Sequence, residues 1–201
     1  MTGKPPAQDL DTLLGSIRAC RLCAGEIPEP RPVVQAAPGA KVRIVGQAPG
    51  TRVHASGKPF TDPSGDRLRD WLGIDETVFY DPQQIAITPM GFCFPGLDEK
   101  GGDKPPPARC AKHWQADLSS QLQHVELTLL VGLYAQRHFL GNRAKPTLTQ
   151  TVRAWRDYAP SIIPLPHPSW RNNSWLKKNP WFAEEVLPML RRGMSKLVRQ
   201  A

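Results

Sequence analysis

No apolar run in this chain of 201 residues approaches 18 positions, so nothing in it reads as a membrane-spanning helix. There is no G-x-G-x-x-G fingerprint, no lysine-bearing phosphate loop and no G-x-S-x-G nucleophile elbow, which removes the usual marks of dinucleotide, nucleotide and serine-hydrolase sites. The first stretch, MTGKPPAQDLDTLL, lacks the apolar core and cleavage site of an export signal, so the expected compartment is the cytoplasm. Acids are scarce: 18 Asp and Glu face 26 Lys and Arg, a net charge of +8 that favours an anionic partner such as a phosphate backbone. Cysteine is sparse too. The four thiols, Cys20, Cys23, Cys93 and Cys110, should stay reduced in the cytoplasm, where metal ligation is a better reading than two disulfides. No internal repeat and no second core are visible. The chain therefore reads as a single domain over residues 1–201, of a size that buries roughly 70% of its unfolded surface.

Proline (22) and glycine (16) are plentiful, though short of the roughly 25–30% share that marks low complexity, and they point to long connections between short elements. Leu10, Leu13, Leu14 and Ile17 lie at helical spacing within residues 9–22, in an opening helix that delivers Cys20 and Cys23. Four compact apolar runs follow as strands: 41–46, 84–88, 126–132 and 161–165. Helical patterns separate them, at 64–72 with Gly73 as its C-cap, around Trp114 to Val125, and at 133–141 and 147–158. A last helix opens at Asn179-Pro180 and runs to about 199. Strands alternating with helices give an α/β fold, a three-layer α/β/α sandwich with a central four-stranded parallel sheet. Ligands in such folds sit beyond the carboxyl ends of the strands, which singles out 47–63, 89–108 and 166–178.

The first of these segments opens with Gly46-Gln47-Ala48-Pro49-Gly50 and continues to Gly57-Lys58-Pro59-Phe60; the last holds His167-Pro168-Ser169. Each alone is an ordinary turn. In this order, together with a Cys-x-x-Cys pair at Cys20 and Cys23 and two later cysteines, they resemble the uracil-DNA glycosylase superfamily from about Cys20 to about Pro180. The likeness is to its iron-sulfur branch, although the first motif diverges. The resemblance implies a monofunctional enzyme of base excision repair that flips uracil, or another deaminated base, out of DNA and hydrolyses the N-glycosidic bond. It is expected to work as a monomer.

By resemblance, His167 donates a hydrogen bond to uracil O2, where negative charge builds as the bond breaks. Phe60 is the ring on which the base stacks, and the amides of Gln47 and Ala48, with Pro49, Gly50 and Ser169, line the substrate site. The four cysteines correspond to the ligands of a [4Fe-4S] cluster. Zinc is the alternative, although four-cysteine zinc sites usually join two close-spaced pairs, which Cys93 and Cys110 do not form. Trp170, Arg171, Asn172, Lys177 and Lys178 interleave rings, an amide and cations, as a loop that enters a groove and holds phosphates would. Residues 167–201 hold seven Lys and Arg against two Glu, a net +5.

The sequence departs from the family at its catalytic carboxylate. Gln47 stands where the iron-sulfur branch has Glu, and Ala48 where other branches have Asp. Asp62 is then the candidate for a water-orienting or cation-stabilising carboxylate; it reads equally as a turn residue that caps the helix starting near Ser64. His54 is a weaker catalytic candidate. Thr88-Pro89 lacks the Asn that uracil-specific branches use to read the base edge, so broader specificity is expected. The missing carboxylates also motivate a second reading, a catalytically weak protein that binds DNA or abasic sites on the same fold.

Overall fold

The computed structural model describes residues 9–199. Its centre is four short strands, β1 (Val42–Val45), β2 (Ile85–Ile87), β3 (Leu127–Val131) and β4 (Ile162–Leu165). They pair in parallel in the order β2-β1-β3-β4, with Val42 beside Ile85 and Leu127, and Leu130 beside Pro164. The helices are α1 (Leu10–Arg18), α2 (Thr51–Ser56), α3 (Pro63–Leu72), α4 (Glu76–Phe79), α5 (Ala108–Gln121), α6 (Leu133–Leu140), α7 (Leu148–Arg153), α8 (Asn173–Lys178) and α9 (Leu187–Leu197).

Side-chain alternation along the strands sorts the layers. Val42, Ile44, Ile85, Ile87 and Leu129 share one core with Leu68 and Trp71 of α3 and Leu190 and Met194 of α9. On the other face Ala86 packs with Leu13, Leu14 and Ile17 of α1 and with Trp114 and Leu118 of α5. This is the three-layer α/β/α sandwich around a four-stranded parallel sheet that the sequence leads one to expect. Pro164, which cannot donate to a ladder, sits on an edge strand as the rule requires. The other edge, β2, is covered by the proline-rich segment before β1. There Gln35 exchanges backbone hydrogen bonds with Ile87 and its side-chain amide donates to the carbonyl of Ile85 at 2.9 Å.

Several boundaries differ from expectation. The first helix ends at Arg18, so Cys20 and Cys23 lie in the turn beyond it. The stretch 147–158 divides: a Thr147–Gln150 capping box starts α7, which stops at Arg153 before a short 3-10 turn over Trp155–Asp157. Phe182–Val186 forms a π segment leading into α9, whose first turn holds Pro188, a residue with no N–H to donate in α-helical register. The segment after His167, expected as a loop, winds into a 3-10 turn (Trp170–Asn172) and α8. Among the described residues no helix is long and apolar enough to cross a membrane.

Candidate active site

The carboxyl ends of β1, β2 and β4 converge on two adjoining cavities. The inner one, of about 530 Å³, is walled partly by buried residues, among them Val33, Pro49, Pro59 and Ile87. The outer one, of about 1490 Å³, is walled partly by exposed ones, Thr51, Arg52, Trp170 and Arg171. Gln47, Ala48, Gly50, Asp62, Ser64, Asp103 and His167 line both and so form the neck between them.

The turn after β1 is set by its own backbone. Met90 and Gly91 N–H groups donate to the carbonyls of Gly46 and Gln47 at 3.0 and 2.9 Å, tying the turn to the chain leaving β2. Phe60 lies beneath it. A Cβ at Gly46 would come within 3.3 Å of the Phe60 ring, so the glycine is what lets strand and ring approach. Phe60 has φ of 54°, a left-handed backbone costing about 1–3 kcal/mol in a non-glycine residue, and its surroundings hold it there. Its ring meets Phe79 edge-on at 6.0 Å, and its carbonyl accepts from the Tyr80 hydroxyl at 3.1 Å. The expected stacking ring thus lines the inner cavity on a strained, braced backbone.

His167 follows β4. The Ser169 N–H donates to its Nδ1 at 3.2 Å, which leaves Nε2 to carry the proton of the neutral ring. Burial holds its pKa below the ordinary histidine range, against the smaller opposing pull of Asp62. The neutral imidazole is therefore a donor of fixed tautomer at the neck. Asn172 Nδ2 donates to the His167 carbonyl at 2.7 Å, and Arg67 Nη1 donates to the Ser169 carbonyl at 3.1 Å; both steady this loop.

Asp62 combines its two expected roles. It is the N-cap of α3, accepting from the Gly65 N–H at 3.2 Å, and it lines both cavities. Gln47 stands at the neck, and its side-chain amide makes no hydrogen bond with the described residues. Thr88 does not replace the missing base-reading amide. Its hydroxyl accepts from Arg43 Nε at 2.8 Å inside a buried network, in which Arg43 also reaches Gln115 at 2.6 Å and Ser119 at 2.8 Å. Arg43 is only 4% exposed and has no carboxylate partner, and burial alone lowers its pKa to about 10. Gln115 Nε2 donates to the Pro89 carbonyl at 2.8 Å, so the network holds the residue whose ring lines the inner cavity.

Other expectations need correction. His54 lines neither cavity; it faces Glu29 at 3.4 Å and the Phe94 ring at 5.6 Å. Lys177 and Lys178 also stay outside. Winding of α8 turns Trp175 and Leu176 onto the core, with the Trp175 indole donating to Thr149 at 2.8 Å, and leaves the two lysines exposed elsewhere. Trp170, 71% exposed, lines the outer cleft with Arg171, Asn172 and Ser169. Arg52 joins them, and its cue was available as the basic residue two positions after the Gly50 turn.

The four cysteines are free thiols and line a separate cavity of about 380 Å³ with Pro30, Pro32 and Trp114 among its walls. Burial and mutual repulsion push Cys93 up to about 12, and burial pushes Cys110 up to about 11. The N–H groups of Leu22 and Phe92 donate to Cys20 and Cys110 sulfur at 3.5 and 3.4 Å. Among the described residues no group of three or more His, Cys, Asp or Glu side chains is placed to hold a metal ion. Residues 33–191, a span that contains every residue lining the two cavities at the strand ends, match the family model described as the Uracil DNA glycosylase superfamily, and the chain belongs to that superfamily.

Proposed function

We propose that this member of a DNA glycosylase superfamily is a monofunctional glycosylase that takes a flipped uracil, or another deaminated base, into the inner cavity and hydrolyses its N-glycosidic bond. The observation that carries the reading is His167 at the neck with Nδ1 occupied by the Ser169 N–H. Its Nε2–H then meets the charge that develops on the base carbonyl without any proton transfer. Phe60 offers a face for stacking, and Asp62 places negative charge beside the sugar as positive charge builds there. Trp170, Arg171 and Arg52 border the outer cleft, where the sugar-phosphate chain would run. With Thr88 consumed by Arg43, base-edge reading falls to the main chain and to the Gln47 amide, which supports a wider range of bases than uracil alone.

The thiols suit a [4Fe-4S] cluster better than zinc. All four sulfurs belong to residues lining one cavity and two accept N–H groups, and Cys93 and Cys110 do not form the close-spaced pair that four-cysteine zinc sites use. Cys20, Cys23, Cys93 and Cys110 would hold it, and its positive iron would draw all four into the thiolate form and pin the loops that bear them. We read the protein as a cytoplasmic monomer.

The test is a base-release panel of uracil, hypoxanthine and alkylated bases in single- and double-stranded oligonucleotides, followed by alkali. Strand scission with at least one base is expected. Tight, salt-dependent binding with no scission at stoichiometric protein would replace this reading with that of a DNA-binding protein. The purified protein should be brown and contain iron and sulfide, and Cys93→Ala should lose the visible absorbance; colourless protein with stoichiometric zinc would overturn the cluster.

A further inference from the structure

We propose that Asp103 is the carboxylate that takes the proton from the attacking water, an assignment that rests on the glycosylase reading above. With the base in the inner cavity and the backbone in the outer cleft, the bond to be broken lies in the neck. The titratable side chains lining both cavities are His167, Asp62 and Asp103. His167 presents a donor, because its Nδ1 is already bound. Asp62 spends an oxygen on the Gly65 N–H. The Asp103 carboxylate makes no hydrogen bond with the described residues, so its lone pairs are open to a water.

Its position is built. A Cβ at Gly50 would lie 3.5 Å from Oδ2 and 3.9 Å from Oδ1, which puts the carboxylate directly over the turn that follows β1. The loop carrying it is a small closed hairpin. Asp103 bridges Leu97, the Lys104 N–H donates to the Gly96 carbonyl at 2.9 Å, and the Asp98 N–H donates to the Gly102 carbonyl at 2.7 Å. Asp98 Oδ1 accepts from the N–H groups of Lys100 and Gly102 at 2.9 and 2.8 Å, and Arg171 reaches the Gly101 carbonyl at 3.4 Å. Asp103 is an exposed residue, yet partial burial of its carboxylate raises its pKa; Arg171 opposes this, while Asp62 and Asp98 add to it. A carboxylate made more basic in this way is a better acceptor for a water proton.

In the step, the water oxygen bonds to C1′ as the C1′–N bond breaks. The bonding pair leaves with the base as its nitrogen anion, the water proton passes to Asp103, and that proton then neutralises the departing base. The sum is one water consumed, with a free base and a 1′-hydroxyl formed.

The experiment follows single-turnover release of whichever base the wild type excises, in Asp103→Asn, Asp103→Ala and Asp62→Asn. Affinity is measured separately on a 2′-fluoro substrate that resists cleavage, and melting curves check that each variant is folded. Loss of the acceptor is expected to slow release about 10²–10⁴-fold, with affinity held within about two-fold, the pattern of an interaction made only in the transition state. Added formate should restore part of the Asp103→Ala rate and leave Asp62→Asn unchanged. Wild-type release by Asp103→Asn overturns this assignment and leaves the glycosylase reading standing. Absence of release by the wild type overturns both. A loss of rate matched by an equal loss of affinity also overturns it, since Asp103 would then serve binding.

Discussion

Replacing Gly65 by alanine tests whether Phe60 is held as described. Helix propensity alone makes the change favourable, by about 1 kcal/mol inside α3. Geometry makes it unfavourable: the new Cβ would run into the Phe60 carbonyl oxygen and lie 2.9 Å from the Phe60 Cβ. Neither side yields cheaply. The Phe60 carbonyl is held by Tyr80 at 3.1 Å and Arg69 at 3.4 Å, and the Gly65 N–H is tied to the Asp62 carbonyl at 2.8 Å. Overpacking of this kind costs about 1–3 kcal/mol, and more when the obstacle is backbone. With a backbone obstacle placing the cost at the upper end of that range, about 3 kcal/mol, the propensity gain of about 1 kcal/mol leaves a net loss of about 2 kcal/mol, a fall in Tm of about 4–8 °C for a chain of this length. Moving the ring by about 1 Å should slow base release about 100-fold. Gly193→Ala is the control, since a Cβ there meets nothing within 4 Å in helix α9. It should raise Tm by about 2–4 °C and leave the rate alone. The two variants are compared by calorimetry and by single-turnover release. If Gly65→Ala melts above the wild type and releases base at the wild-type rate, the account of how Phe60 is positioned is wrong.

His167→Ala should reduce base release about 10²–10³-fold by removing one preorganised donor, measured under single turnover. Its depressed pKa also has a consequence for stability. The folded state binds the His167 proton less readily than the unfolded chain does, so this contribution is present at neutral pH and is lost as pH falls through the ordinary histidine range; His167→Ala should flatten that part of the melting profile. Phe60→Ala should weaken binding of a flipped base by about 1–3 kcal/mol, read as affinity for uncleaved substrate. Arg43→Met should cost less than about 3 kcal/mol in urea unfolding: two buried acceptors lose their donor at about 1–3 kcal/mol each, while relief of a burial penalty of about 3 kcal/mol offsets them.

The fold was legible where local chemistry and burial agree. The strands are β-branched and apolar runs because both sheet faces are covered, and Asp62, Pro63 and Gly73 mark the ends of α3 by side-chain and backbone rules that act within a few residues. Gln47 and His167 were placed by the strands they follow, β1 and β4, and Phe60 and Asp62 by the turn between α2 and α3, so their meeting at the strand ends follows from local signals. What escaped depends on contacts distant in sequence. Arg43 lies within the strand run 41–46 with nothing local to mark its burial, and only the helix α5 laid over it supplies Gln115 and Ser119. Asp103 lies in 89–108, a segment singled out by its place beyond β2, but nothing local in its Gly- and Lys-rich run marks this carboxylate; only the hairpin brings it over Gly50. That Lys177 and Lys178 lie outside both cavities also depends on distant packing, since the apolar pull of Trp175 and Leu176 toward a core built elsewhere sets the rotation of α8.

The segment bearing Asp103 begins near one thiol of the cysteine cavity, Cys93, and ends near another, Cys110. A length of chain clamped at both ends behaves like a short span between two piers: its middle sags far less than that of a free arm of equal length. Whatever keeps Cys93 and Cys110 side by side has already met the entropy of closing this loop, and the carboxylate at the crown inherits that fixity. The cysteine cavity and the neck are thus joined through one loop, and widening the distance between the piers would be felt first at the neck, where a displacement of a fraction of an ångström matters most.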